Sequence, residues 1–219
     1  MTDSTPQPLQ RLRLTFAKKD AMRYTSHLDL HRTWERTLRR ANLPLAYSQG
    51  FSPHPRINLG SALPLGFTSQ QEVVDIWLEE TLPLDEVRQK LTPALPPGIE
   101  VLEMHEVDLR APALQTELLA SEYELTFTQA QPDLNERCAQ LLAAESLPRR
   151  RRGKDYDLRP LIEGLSALPV DEQGRSRLTL RLSAREGATG RPEEVIDALG
   201  CPVETTRVLR TRLIFQNNP

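Results

Sequence analysis

Residues 11–44, RLRLTFAKKDAMRYTSHLDLHRTWERTLRRANLP, change their apolar period part-way, and that change decides the fold. Leu12, Leu14 and Phe16 alternate with Arg13 and Thr15, the two-residue period of a half-buried strand. Ser26 then opens a helix, because its hydroxyl can cap free amides and Asp29 stands three residues on in the capping-box place. Leu30, Trp34, Leu38 and Ala41 recur at helical spacing and form the stripe to be buried. Asn42 and Pro44 end the helix.

Working outward, the order strand, helix, strands, helix, strand emerges. Leu45–Ser48 reads as a short strand, followed by a loop through Gly50, Pro53 and Pro55 and a strand over 57–63. Glu72–Glu79 alternates as a strand, Leu84–Leu95 is a short helix stopped by Pro96, Pro97 and Gly98, and Ile99–Val107 closes the unit. Residues 109–120 carry little pattern and read as a linker that could be partly helical.

The order then returns. Tyr123, Leu125 and Phe127 mark a strand, and Leu134, Cys138, Leu141 and Leu142 a helix. The basic run 149–154 reads as an edge strand entering a second helical piece with Leu158, Ile162 and Leu165. Leu178, Leu180 and Leu182 form a strand, Pro192 to Gly200 a helix with Val195, Ile196 and Leu199, and Arg207–Phe215 a last strand with Leu209, Leu213 and Phe215 inward. The expectation is an α+β chain of two tandem ferredoxin-like (βαββαβ) units with antiparallel sheets. A disordered lead-in over 1–10 precedes a first unit over 11–108; the linker 109–120 leads to a second unit over 121–219.

Composition bounds the function. A 219-residue chain with 38% hydrophobic and 26% charged residues is ordinary for a folded cytoplasmic protein, and no apolar run approaches a membrane span. The first ten residues show neither the basic start nor the apolar core of an export signal, so Cys138 and Cys201 are expected as reduced thiols. The net charge of −2 hides local asymmetry. Residues 18–56 carry a balance of +5, residues 149–159 one of +4, and residues 72–108 one of −8. Two basic patches on a near-neutral chain point to a local anionic partner.

Residues 23–66 hold three of the four histidines. His27 and His31 stand four apart on one helix face, and with His54 they could supply three imidazoles to zinc; the competing reading is polar or ligand-binding groups near a helix start. Arg32, Arg36, Arg39 and Arg40 form a positive ridge suited to phosphates, or a solvated face with Glu35 as partner; Arg23 and Arg56 favour a binding surface. In the loop Gln49–Arg56 two prolines limit freedom, so Phe51, His54 and Arg56 could stack on and hydrogen-bond a nucleobase; otherwise Phe51 is a buried staple. Arg150, Arg152, Lys154, Tyr156 and Arg159 form the second patch, either a phosphate site or a mobile loop. His105, in a strand, reads as structural.

The chain has no phosphate loop, dinucleotide fingerprint or nucleophile elbow. Two distant cysteines cannot hold a four-iron cluster, which takes three or four thiolates.

The signature Ser26–Asp29, Arg39–Arg40, Leu43–Pro44, Gly50–Pro55 and Pro64–Gly66, with Glu72 shortly after, resembles that of the radical SAM-linked proteins, a bacterial family of unknown function. Asp157-Leu158-Arg159-Pro160 resembles the family's second segment, and the likeness spans most of residues 11–215. The resemblance implies a radical SAM enzyme as gene neighbour or fusion partner, often among ribonuclease and ribosomal-protein genes, with this chain as the stand-alone form. An iron-sulfur cluster and S-adenosylmethionine are then expected only in the partner, and no cofactor in this chain. The leading expectation is a non-catalytic accessory protein binding RNA or another anionic substrate. The alternative is a metal-independent endoribonuclease resembling, at fold level, the CRISPR repeat-cleaving enzymes, with His27 or His31 as general acid or base.

Overall fold

The computed structural model describes residues 7–216, and the chain divides between Thr116 and Glu117 into two compact units. It is a mixed α/β protein with few helices, and within each unit the strands pair antiparallel. The first six residues of the expected lead-in lie outside the described residues, and its tenth, Gln10, already belongs to a strand.

In the first unit the elements are β1 (Gln10–Lys18), α1 (His27–Arg40), β2 (Ile57–Leu59), β3 (Thr68–Leu78), α2 (Leu84–Leu91) and β4 (Ile99–Val107). β1 pairs with β3 and β4, and β2 with β3, giving the order β4-β1-β3-β2. Ser26 caps α1: its Oγ accepts the Asp29 amide at 3.2 Å and donates to the Asp29 carboxylate at 2.7 Å. Leu30, Trp34 and Leu38 turn inward onto Leu12, Leu14, Phe16 and Ile76. Trp34 meets Phe16 edge-on, with ring centroids 4.9 Å apart. Burying one such leucine contributes about 1.5–3 kcal/mol, so this stripe fixes where α1 lies.

β1 is not the half-buried strand its alternation implied, because Arg11 and Arg13, on the face away from α1, are also buried. Asp75 of β3 compensates them. Its carboxylate accepts from Arg11 Nε at 3.0 Å and from Arg13 Nε at 2.8 Å and Nη2 at 3.0 Å. Arg11 also donates to the carbonyls of Ala111 and Pro112, so the segment after β4 is tied to this face. Lys18, likewise buried, donates to the carbonyls of Thr25 and Phe67, each at 3.1 Å.

In the second unit the elements are β5 (Leu118–Phe127), α4 (Leu134–Ala143), β6 (Pro148–Arg151), β7 (Lys154–Asp157), β8 (Ile162–Leu168), β9 (Arg177–Arg185), β10 (Ala188–Thr189), α5 (Pro192–Ala198) and β11 (Thr206–Phe215), after a one-turn α3 (Leu114–Glu117). The sheet order is β11-β5-β9-β8, with β10 also on β9. Leu125, Phe127, Cys138, Leu180 and Ile196 are among its buried residues.

Several boundaries differ from expectation. The linker 109–120 is partly helical through α3, but it is shorter than expected because β5 already begins at Leu118. Leu45–Ser48 makes only isolated bridges, Leu45 to Leu78 and Tyr47 to Pro55, and the strand expected over 57–63 stops at Leu59. Residues 149–154 form no edge strand of the main sheet: β6 and β7 pair with each other as a hairpin. The helix expected from Leu158 to Leu165 is a 3-10 turn over Arg159–Leu161 followed by β8. Ile162 and Leu165 stand three apart, a helical spacing, yet a bulge between Ile162 and Gly164 puts both buried side chains on one strand face. A similar irregularity between Arg210 and Arg212 makes Val208, rather than Leu209, the buried partner of Leu213 and Phe215.

Candidate anion-binding surfaces

α1 carries its histidines and arginines in two rows. Along one, His31 Nδ1 lies 3.5 Å from Glu35 Oε1, and Arg39 lies 3.8 Å from the other oxygen. Glu35 thus neutralises part of the ridge, the solvated-face reading in local form. Arg32 pairs with Asp29 at 3.4 Å. Arg40 donates to the Ala94 carbonyl, so it braces the turn after α2 instead of facing a ligand. Arg36 is exposed. Arg23 is also a brace: its Nε donates to the Gly66 carbonyl at 2.8 Å, its carbonyl accepts the Gly66 amide at 3.0 Å, and its guanidinium lies over Tyr24.

The loop after α1 is closed at its neck. The Ser48 amide donates to the His54 carbonyl at 2.8 Å, the His54 amide to Ser48 Oγ at 3.1 Å, and the Arg56 amide to the Ala46 carbonyl at 2.8 Å. Beyond that neck Phe51 has a relative exposure of 112%, which discards the buried-staple reading. His54 is exposed too, with Nε2 3.5 Å from Ser52 Oγ. Arg56 turns back over the Trp77 ring at 5.1 Å, and Arg11 lies over the same ring at 4.7 Å. Phe51 and His54 therefore share one loop, while Arg56 is directed at the sheet.

Among the described residues no group of three or more His, Cys, Asp or Glu could hold a metal ion. His27 and His31 lie on α1, and His54 sits on an exposed loop beside Ser52. A hollow of about 460 Å³ opens at the end of α1, lined by Arg39, Asn42, Tyr47, Glu80 and Lys90 among others. Of the expected site residues only Arg39 lines it, so this hollow does not gather the histidines and Phe51.

In the second unit, Arg150, Arg152 and Lys154 are exposed on the β6–β7 hairpin, whereas Tyr156 and Arg159 serve its base. Arg159 donates through Nε and Nη2 to the Leu142 carbonyl at 3.0 and 2.8 Å, closing the C-terminal turn of α4. Burial, then the Glu194 carboxylate, push the Tyr156 phenol up to about 12. Asp157 is held below the usual carboxylate range by the amides of Leu147 and Arg159.

Two charged groupings escaped the sequence reading. One is the buried Arg11–Asp75–Arg13 cluster, whose visible trace was an aspartate inside the apolar run Val73-Val74-Asp75-Ile76-Trp77. The other links Arg181 to Glu122 and Glu163, Arg185 to Glu163 and Arg177 to Glu124 across β5, β8 and β9. These arginines are spent on cross-strand pairs.

The family described as "Uncharacterized protein conserved in bacteria (DUF2344)" matches residues 11–192. The chain belongs to the DUF2344 family. No curated protein matches it. Among solved structures, a Cbf5-Nop10-Gar1 complex aligns with 91% of the DUF2344 chain and 48% of its own chain, at 10% identity and a TM-score of 0.47. An archaeal box H/ACA sRNP Nop10-Cbf5 complex aligns with 91% and 47%, at 10% identity and a TM-score of 0.43. The acetolactate synthase small subunit from Thermotoga maritima aligns with 96% and 98%, at 11% identity and a TM-score of 0.28. The DUF2344 chain spans about half the length of the first two. At TM-scores this low the likenesses carry no functional argument. None of the helices among the described residues is long and apolar enough to cross a membrane.

Proposed function

We propose that this DUF2344 protein is an accessory, substrate-binding protein that takes RNA or another anionic substrate and serves a radical SAM enzyme. The partner rests on the sequence resemblance, and any iron-sulfur cluster and S-adenosylmethionine would reside there. The strand orders β4-β1-β3-β2 and β11-β5-β9-β8 support reading each unit as a ferredoxin-like βαββαβ module.

The observation that carries the binding reading is Phe51, fully exposed beyond a neck of hydrogen bonds, with His54 on the same loop. An aromatic face held outward without packing partners stabilises nothing in the fold, whereas stacking on an unpaired base contributes about 1–3 kcal/mol. The closed neck lowers the ordering cost of binding. Arg36 adds a cation for phosphate.

The test is fluorescence anisotropy with a labelled stem-loop RNA. Phe51→Ala is expected to weaken binding by roughly 5- to 100-fold, matching the removal of one stack, and His54→Ala and Arg36→Ala by less. Equal affinity of wild type and Phe51→Ala removes the stacking role. The endoribonuclease alternative is favoured by one contact, the Glu35 carboxylate beside His31 Nδ1, which would orient an imidazole for proton transfer. Intact RNA after prolonged incubation without metal rules it out.

A further inference from the structure

The β6–β7 hairpin is extra to the βαββαβ order of its unit, standing between α4 and β8, and its strands pair only with each other. A lone two-stranded ribbon is marginal in water, and this one brings little apolar surface of its own. It is nevertheless regular, with Arg149 opposite Tyr156 and Arg151 opposite Lys154. Arg152 and Gly153 close it with φ of 48° and 79°, the left-handed pair of a primed hairpin turn.

Its base is fastened by charge. Arg149 lies 3.9 Å from Glu194 and 3.6 Å from Asp197 of α5. Asp157 accepts the amides of Leu147 at 2.7 Å and Arg159 at 2.9 Å, and fully buried Leu158 follows. Beyond this base the ribbon has different chemistry. Over residues 150–155, four cations stand against the single acid Asp155, a net charge of +3. Arg150 and Asp155 are 74% and 84% exposed across a 3.7 Å gap, too open for a pair of much strength. Holding like charges together at the end of a fastened ribbon is unfavourable unless an anion is met there.

We infer that this hairpin is a second binding element that grips the phosphate backbone of RNA through Arg150, Arg152 and Lys154, and this rests on the RNA reading of the Phe51 loop. The tip has no aromatic side chain on which a base could stack, so its part in binding is charge: guanidinium and ammonium groups that meet phosphate oxygens. It has no apolar side chain either, so it lacks the buried anchor a protein interface uses and the wedge a membrane surface would take. Guanidinium forks fit phosphate oxygens in pairs. The two elements divide the work: the Phe51 loop stacks, with little dependence on salt, and the hairpin neutralises phosphate, with strong dependence.

The test is the salt dependence of binding to the same labelled stem-loop RNA, with poly-glutamate as a second probe. Removing one cation–phosphate pair lowers the slope of log K against log salt by about 0.7–0.9. The triple variant Arg150→Gln/Arg152→Gly/Lys154→Gln is expected to flatten the slope by about 2–3. Arg152→Gly alone places the residue favoured at that φ and removes one charge, so its smaller flattening cannot come from a broken turn. Phe51→Ala is expected to lower affinity with the slope unchanged. If wild type binds RNA and the triple variant keeps its slope, the hairpin inference fails and the stacking reading stands. If Phe51→Ala binds as wild type while the triple variant has a flatter slope, the hairpin stands and the stacking reading fails. Binding of poly-glutamate but not RNA overturns both.

Discussion

Asp75 is the residue on which the first unit turns. It lies in mid-strand with no exposed surface, and both Arg11 and Arg13 donate to its carboxylate. Removing it takes from two buried guanidiniums the carboxylate they share, a change that costs about 3–5 kcal/mol. Asp75→Ala is therefore expected to lower the urea midpoint strongly, while replacing Asp75, Arg11 and Arg13 together by leucine restores much of the stability. A single-variant midpoint near that of wild type would refute this account. Phe51→Ala, by contrast, removes no packing and should stay within about 0.5 kcal/mol of wild type. Alternation in the sequence was enough to read Leu12, Leu14 and Phe16 as core. It also sent Arg13 to solvent, because the carboxylate that satisfies it is 62 residues away and only the β1–β3 register brings it opposite. Phe51 was recognisable as stacking or staple, and its exposure removes the staple.

At the scale of elements, α1 was legible because capping, stripe and stop agreed along one stretch, as were β4 and α4. The region 149–168 was not. Its apolar residues Leu158, Ile162 and Leu165 fall at helical intervals, and the bulge that makes this compatible with a strand leaves only a weak trace, Gly164, in the sequence. The same region gives a pH prediction. The Tyr156 phenol is raised by burial and by Glu194 from its ordinary value of 10.0 to about 12. A folded value above the unfolded one means that this contribution is complete below about pH 10 and disappears as pH rises towards 12. Alkaline unfolding of wild type and Tyr156→Phe, followed by circular dichroism, should therefore diverge below that window and converge within it. A constant difference across pH 8–12 would show that the Tyr156 phenol is not raised in the folded state.

For the whole molecule, a mixed α/β chain of antiparallel strands and few helices could be read because each element begins where the apolar period changes. Each unit has its own buried set, and the chain carries a separate probe in each. Trp34 and Trp77 are the two tryptophans and lie in the first unit, whereas Cys138 and Cys201 are the two cysteines and lie in the second. Both thiols are free and buried, and burial is the leading cause that raises them, so little thiolate is available for alkylation in the folded state. Iodoacetamide at pH 8 is expected to leave both unmodified until the second unit opens, while tryptophan fluorescence follows the first. Domains with separate cores need not unfold in one step. Asp75→Ala should then move the fluorescence midpoint in urea to lower concentration and shift the thiol-labelling midpoint less. Equal shifts of the two midpoints would mean that the halves melt as one cooperative body, and the stability of the Phe51 loop and of the hairpin could not be tuned separately.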